Sequence, residues 1–275
     1  MTTKSSDELQ VRVQGEQGRG TLIYLPGIQG DWTLIASFRK AALSEWRFVE
    51  FTYPRSTAWS LADYARAVRE ALEQEGIREG WLIGESFGSQ VAWAVIDLEA
   101  GEGRGPAGGA DSFQVLGLIL AGGFVRHPCL WGVRGALALW RRMPARCLRA
   151  LLKLYVCYAP WRYRRAPETM ADLPEFVSRR DEADHRATAH RLELILGNDL
   201  RPVARRFDRP VFYLGGAIDP LVPWPWVRAW LRRHCPGYRG GRTFWMADHN
   251  VLASSARSAA VQVGQWLNPL LQFPP

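Results

Sequence analysis

Ser86 is the residue whose surroundings point most directly to chemistry. It lies within Gly84-Glu85-Ser86-Phe87-Gly88, after the apolar run Gly80-Trp81-Leu82-Ile83 and before a segment of apolar helical pattern. That order reads as strand, sharp turn, helix. In a G-x-S-x-G turn the serine takes a strained backbone conformation, and the flanking glycines let strand and helix approach closely. A hydroxyl raised above the sheet edge in this way can attack a carbonyl, with the Phe87 N–H at the following helix N-terminus directed at the oxyanion that forms. Other reactive groups compete poorly. Cys129, Cys147, Cys157 and Cys235 are scattered without C-x-x-C spacing, which reads as buried, reduced thiols and argues against zinc or a dithiol site. Asp181, Asp184, His185 and His190 form a polar cluster, but the histidines are five apart and do not share a helix face as a ligand pair would. The neighbouring Arg179, Arg180, Arg186 and Arg191 suggest a charged exterior instead.

With its flanks included, the chain resembles an α/β-hydrolase from about Thr21 to about Leu271, interrupted by a less recognisable insert. The resemblance implies that Ser86 is the nucleophile and that an acid and then a histidine follow it in chain order. Gly215-Gly216-Ala217-Ile218-Asp219-Pro220 and Met246-Ala247-Asp248-His249-Asn250 stand at matching places. Asp219 would accept the Nδ1 proton of His249, and His249 Nε2 would take the serine proton. Asp248 is a poor acid for this purpose, because adjacent residues seldom turn each other's side chains inward. The loop Pro26-Gly27-Ile28-Gln29-Gly30-Asp31 stands where the family carries its second oxyanion donor, which by position is the Ile28 N–H; Pro26-Gly27 replaces the His-Gly of many relatives. Gln29 is read equally as a pocket residue or a solvated loop residue. The implied activity is that of a serine esterase of carboxylesterase or lipase type, working through an acyl-enzyme without cofactor or metal. A thioesterase or acyltransferase on the same triad, and a non-catalytic binding protein of the same fold, are the alternatives.

The positioning elements follow from periodicity. Leu9 to Val13 alternates like a half-buried edge strand, Thr21 to Leu25 is continuously apolar like a strand buried on both faces, and Trp46 to Phe51 and Val115 to Leu120 are further strands. Trp32 to Leu43 reads as an amphipathic helix with Asp31 as a candidate N-cap, and Ser60 opens another with Gly76 just past its end. The glycines from Gly101 to Gly109 follow a helix and precede a strand, the wrong order for a dinucleotide loop, and read as a surface loop. Pro210 to Leu214 and Arg242 to Met246 restore the strand pattern, and about Ser254 to Leu271 is a closing helix. The expected fold class is therefore α/β, an α/β-hydrolase fold with a mostly parallel central sheet and helices on both faces.

At 275 residues the length suits one such core with an insert. The core is assigned to 1–126 and 207–275, and a helical cap to 127–206, broken into short pieces by Pro160, Pro167 and Pro174. No apolar run is long enough to cross a bilayer and no secretory signal is evident, so a cytoplasmic location is expected. The net charge is +8, and from Arg134 to Arg165 there are nine cationic residues and no acidic one. That excess suits an anionic membrane surface, an acidic carrier or a phosphate-bearing substrate, or serves solubility alone. No specific nucleic-acid partner is expected.

Overall fold

The structure, a computed structural model, describes residues 8–101 and 113–268. Most of the Gly101 to Gly109 stretch and the end of the expected closing helix lie outside the described residues. Seven strands form one sheet: β1 (Gln10–Gln14), β2 (Thr21–Leu25), β3 (Arg47–Thr52), β4 (Glu79–Glu85), β5 (Gln114–Ala121), β6 (Val211–Gly216) and β7 (Tyr238–Phe244). Their spatial order is β1-β3-β2-β4-β5-β6-β7. Only β1 is antiparallel to its neighbour. It lies at the edge, where Leu9, Val11 and Val13 pack on the core from one face, which explains the alternation of its sequence.

The continuous apolar runs are explained by burial on both faces. Leu22 and Tyr24 of β2 pack in one core layer while Ile23 and Leu25 pack in the other; Ile119 and Leu120 of β5, and Phe212 and Tyr213 of β6, divide in the same way. One layer is closed by α1 (Ala36–Ala42) and the C-terminal helices. The other is closed by α2 (Leu61–Gln74) and α3 (Gly88–Gly101). The start of α2 carries the expected Ser60 cap as a capping box with Asp63, and Gly76 just beyond its end has φ +65°. The segment Trp32 to Leu43 is not one helix. A 3-10 turn, Thr33–Ile35, precedes α1, and Asp31 accepts from the N–H and hydroxyl of Thr33 instead of capping α1.

Between β5 and β6 the described chain contains no strand but six helices: α4 (Leu130–Arg142), α5 (Ala145–Arg162), α6 (Pro167–Ala171), α7 (Leu173–Ser178), α8 (Glu182–Gly197) and α9 (Arg201–Ala204). Pro167 and Pro174 stand in the first turns of α6 and α7, where a missing N–H costs little. Pro160 does not break the chain as expected. It sits in the last turn of α5, where the helix is ending anyway. After β6 come α10 (Trp224–His234), β7, α11 (Val251–Ser254) and α12 (Ala256–Leu267). β7 begins four residues before the expected Arg242, because Gly240 and Gly241 weakened the apolar pattern there while still pairing with Phe212 and Tyr213. The thiols are free, but only Cys235 is buried; Cys147 and Cys157 are exposed on α5, contrary to the reading of all four as buried.

The chain runs from β2 outward to β3 and then crosses back to β4 on the other side of β2. That reversal opens a crevice beyond the carboxyl ends of β2 and β4, the usual place for a ligand in a sheet of this kind. The turns on its two sides nearly touch. A Cβ at Gly88 would stand 2.0 Å from the Leu25 carbonyl oxygen and 2.6 Å from that of Pro26. Backbone on both sides cannot yield cheaply, so Gly88→Ala is expected to lower stability by about 1–3 kcal/mol or more. Urea unfolding of the purified variant measures this; a loss within about 0.5 kcal/mol of zero would show that the contact is slack.

Candidate active site

The three side chains singled out by the sequence meet at the carboxyl end of the sheet. Ser86 follows β4, Asp219 follows β6 and His249 lies in the loop after β7. His249 Nε2 is 2.8 Å from Ser86 Oγ, and its Nδ1 is 2.8 Å from Asp219 Oδ2. The other Asp219 carboxylate oxygen accepts from the N–H groups of Leu221 and Val222 at 2.8 and 3.0 Å, which fixes the acid in the turn after β6. Asp248 faces elsewhere, accepting from Arg162 Nε at 2.6 Å.

Ser86 is the only non-glycine described residue with positive φ, at 50°. Such a conformation costs about 1–3 kcal/mol and persists because the turn is tied on several sides. The Ser86 N–H donates to the Ala121 carbonyl at 3.1 Å, and its own carbonyl accepts from the Ser89 N–H at 3.0 Å and the Ser89 hydroxyl at 2.5 Å. The buried Ser89 Oγ also bridges to the backbone of Phe124 at 2.9 Å. Sequence reasoning passed over Ser89, although its position three residues after Ser86 is the signal.

Gly27 to Gly30 forms a turn closed by the Gly30 N–H on the Gly27 carbonyl at 2.9 Å. Among the described residues, the Ile28 and Phe87 N–H groups donate to no protein acceptor. The turn is held from outside by the helical insert. Arg191, only 1% exposed, donates to the Ile28 carbonyl at 2.8 Å and the Pro54 carbonyl at 3.1 Å. Gly30, at φ +73°, leaves room for that guanidinium: a Cβ there would stand 2.5 Å from Arg191 Nη1. Arg180 donates to the Gln29 carbonyl at 3.3 Å and forms ion pairs with Asp31 and Asp184.

The arginine-rich stretch around 180–191 is therefore only partly a charged exterior: Arg186 is exposed beside Glu182, whereas Arg180 and Arg191 turn inward. Arg180, Asp184 and Arg191 are buried or nearly so: Arg180 pairs with the carboxylates of Asp31 and Asp184, and Arg191 donates to the Ile28 and Pro54 carbonyls in place of water. The signal was present: Ala187, Thr188, Arg191 and Ile195 share the buried face of α8. The histidines of the same helix are anchored by carbonyl contacts, His185 Nε2 to Trp140 O at 2.9 Å and His190 Nε2 to Trp59 O at 2.8 Å.

A cavity of about 390 Å³ opens over Ser86 and His249. Gln29 is both exposed and part of its lining, so the two sequence readings of that residue coincide. The apolar wall includes Leu34, Val133, Leu192, Ile195 and Val222, contributed by the core and the insert together. His127, buried at the start of the insert, also lines it, and its burial lowers its pKa. Glu85 is buried beside Ser86 and accepts from the Tyr24 hydroxyl at 2.5 Å; loss of water pushes its pKa up against the opposing effects of Tyr24 and His249.

No family model matches the chain, and no curated protein matches it. Solved structures do. A hydrolase from Pseudomonas aeruginosa PA01 superposes with a TM-score of 0.72 at 16% identity, covering 94% of each chain. An esterase from Exiguobacterium antarcticum gives 0.71 at 14% identity, again covering 94% of each. An α/β hydrolase enzyme from a Medee basin deep-sea metagenome library gives 0.69 at 12% identity over 96% of each. The chain has the α/β-hydrolase fold. Within it, Ser86, Asp219 and His249 follow β4, β6 and β7, and the positive φ of Ser86 falls at the turn from β4 to α3.

Electrostatics give the site a measurable signature. Burial disfavours the charged imidazolium of His249, but the hydrogen bond and negative charge of Asp219 outweigh it, so the pKa of His249 is raised above 6.5. A raised value keeps the ring protonated to higher pH. Titration of the His249 ring signals by NMR is expected to show an inflection above 6.5 in the native protein and a fall below that of wild type in Asp219→Asn, where only the weaker charges of Glu85 and Asp248 still oppose burial. An unchanged inflection in the variant would mean that Asp219 does not govern the ring.

Proposed function

We propose that this protein is a serine hydrolase that cleaves carboxylic esters by way of an acyl-enzyme. The observation that carries this reading is the hydrogen bonding of one imidazole ring to Ser86 on one side and Asp219 on the other. In the first step Ser86 Oγ bonds to the ester carbonyl carbon while His249 Nε2 takes its proton. Asp219 holds the ring in the tautomer with its proton on Nδ1 and stabilises the imidazolium. The N–H groups of Phe87 and Ile28 stabilise the oxyanion. Collapse of the tetrahedral intermediate breaks the bond to the alcohol oxygen, which leaves with the proton held by His249. Water then attacks the acyl-enzyme, giving up a proton to His249, and Ser86 leaves with that proton as the acid is released.

The apolar lining and a volume of about 390 Å³ suit an ester with a compact hydrocarbon portion. The likeness of fold to structures described as an esterase and a hydrolase supports the same reaction class. The helices between β5 and β6 act as a cap, since they supply part of the cavity wall and the arginines that hold the loop of Ile28. The intact trio of Ser86, Asp219 and His249 favours an enzyme over a binding protein, which has no need for all three.

Hydrolysis of a short p-nitrophenyl ester tests the assignment. Ser86→Ala is expected to lower kcat/KM by at least about 10³-fold while leaving thermal unfolding nearly unchanged, since a strained turn loses only one hydroxyl. Asp219→Asn is expected to lose about 10⁴-fold, and Asp248→Asn less than about tenfold. Activity of Ser86→Ala within tenfold of wild type would remove the nucleophile, and the reverse ranking of the two aspartates would move the acid. Because the base must be neutral to accept a proton, kcat/KM should rise with pH through the raised pKa of His249.

A further inference from the structure

The longest helix of the insert has three faces with three different characters. At about 3.6 residues per turn, Leu152, Tyr155 and Ala159 of α5 share the side that packs on the protein. A second side carries Leu151, Leu154, Tyr158 and Trp161, spaced three, four and three apart, and these are 49%, 66%, 43% and 60% exposed. A third carries Arg146, Arg149 and Lys153, again spaced three and four apart and exposed. A row of large apolar side chains beside a row of cations, both in water, is a surface made for an occupant.

Charge decides what kind. No acidic residue occurs from Leu130 to Pro167. Two of the nine cations are matched from outside the segment, Arg141 by Glu193 and Arg162 by Asp248. Arg134, Arg142, Arg146, Arg149, Lys153, Arg164 and Arg165 form no ion pair with the described residues. A second copy of this chain would bring the same positive face against it and be repelled, so the occupant is anionic. It must also accept a convex row of leucines ending in tyrosine and tryptophan. A lipid surface meets both demands at once: hydrocarbon receives the leucines, the aromatic rings settle at headgroup depth, and lipid phosphates face the arginines. An acidic protein would meet the charge but leave the convex apolar row without a matching groove.

We propose that the exposed face of α5 docks on an anionic lipid bilayer, with Leu151, Leu154, Tyr158 and Trp161 at the level of the headgroups and upper acyl chains. This interaction does not depend on the chemistry at Ser86, and binding is therefore measured with the full chain carrying Ser86→Ala, so that no lipid is turned over. Sedimentation with phosphatidylcholine vesicles is compared with vesicles that also contain phosphatidylglycerol. The expected result is binding to the mixed vesicles, at least about tenfold weaker on pure phosphatidylcholine and weakened by salt. Two variants separate the contributions, each at exposed positions where folding should survive, as thermal unfolding checks. Replacing Arg146, Arg149 and Lys153 with Gln should weaken binding at least about tenfold. Leu154→Ser with Trp161→Ser should weaken it by a similar factor with charge unchanged. No binding to the mixed vesicles overturns the proposal. Binding that ignores the Leu154 and Trp161 replacements, or that is matched by soluble polyglutamate, overturns it in favour of an acidic protein partner.

Discussion

The close approach of Gly88 to the carbonyls of Leu25 and Pro26 is the constraint on which the rest of the site depends. It brings the helix that starts after Ser86 against the turn that starts after β2, which carries Ile28. Any side chain at Gly88 would force the two turns apart. The strained backbone of Ser86 belongs to the same arrangement: the hydroxyl stands clear of the sheet because the chain reverses there, and the bonds to Ala121 and Ser89 hold the reversal. The sheet supplies the remaining geometry, since the ends of β6 and β7 lie side by side and carry Asp219 and His249 to the same edge.

The helical insert is joined to this edge through charge. Arg191 and Arg180 reach the carbonyls of Ile28 and Gln29, Arg162 binds Asp248 beside His249, and Ser37 and Thr169 exchange hydrogen bonds between α1 and α6. Each buried guanidinium has lost water and is compensated by a specific oxygen, so displacing the insert would leave charges uncovered. This couples the cavity wall to the backbone that flanks Ser86. It also frees α5, whose packed side is narrow, to present two of its faces outward.

Much of this was legible in the sequence because it is written in local patterns. The turn at Ser86 and the buried strands β2, β5 and β6 follow from short-range rules of glycine and apolar run, whereas Asp219 and His249 were singled out by the chain order that the resemblance to the α/β-hydrolases implies. What was not legible depends on contacts distant in sequence. Arg191 lies 163 positions from Ile28, and nothing near it announces that its guanidinium will replace solvent inside the fold. Asp31 looked like a helix cap because its partner Arg180 is remote. The early start of β7 was hidden by glycines that pair well but carry no apolar signal. Cys147 and Cys157 were read as buried from their lack of paired spacing, whereas the exposed sides of α5 place them in water.

The central claim is that Ser86 is a nucleophile activated by His249 and served by the donors around it. Treatment with a fluorophosphonate, followed by peptide mass spectrometry, addresses it without knowledge of the natural substrate. The account predicts one phosphonyl adduct, on Ser86, formed rapidly in the native protein and far more slowly when His249 is replaced by alanine. An adduct on a different residue, or an equal rate of labelling without His249, would contradict it.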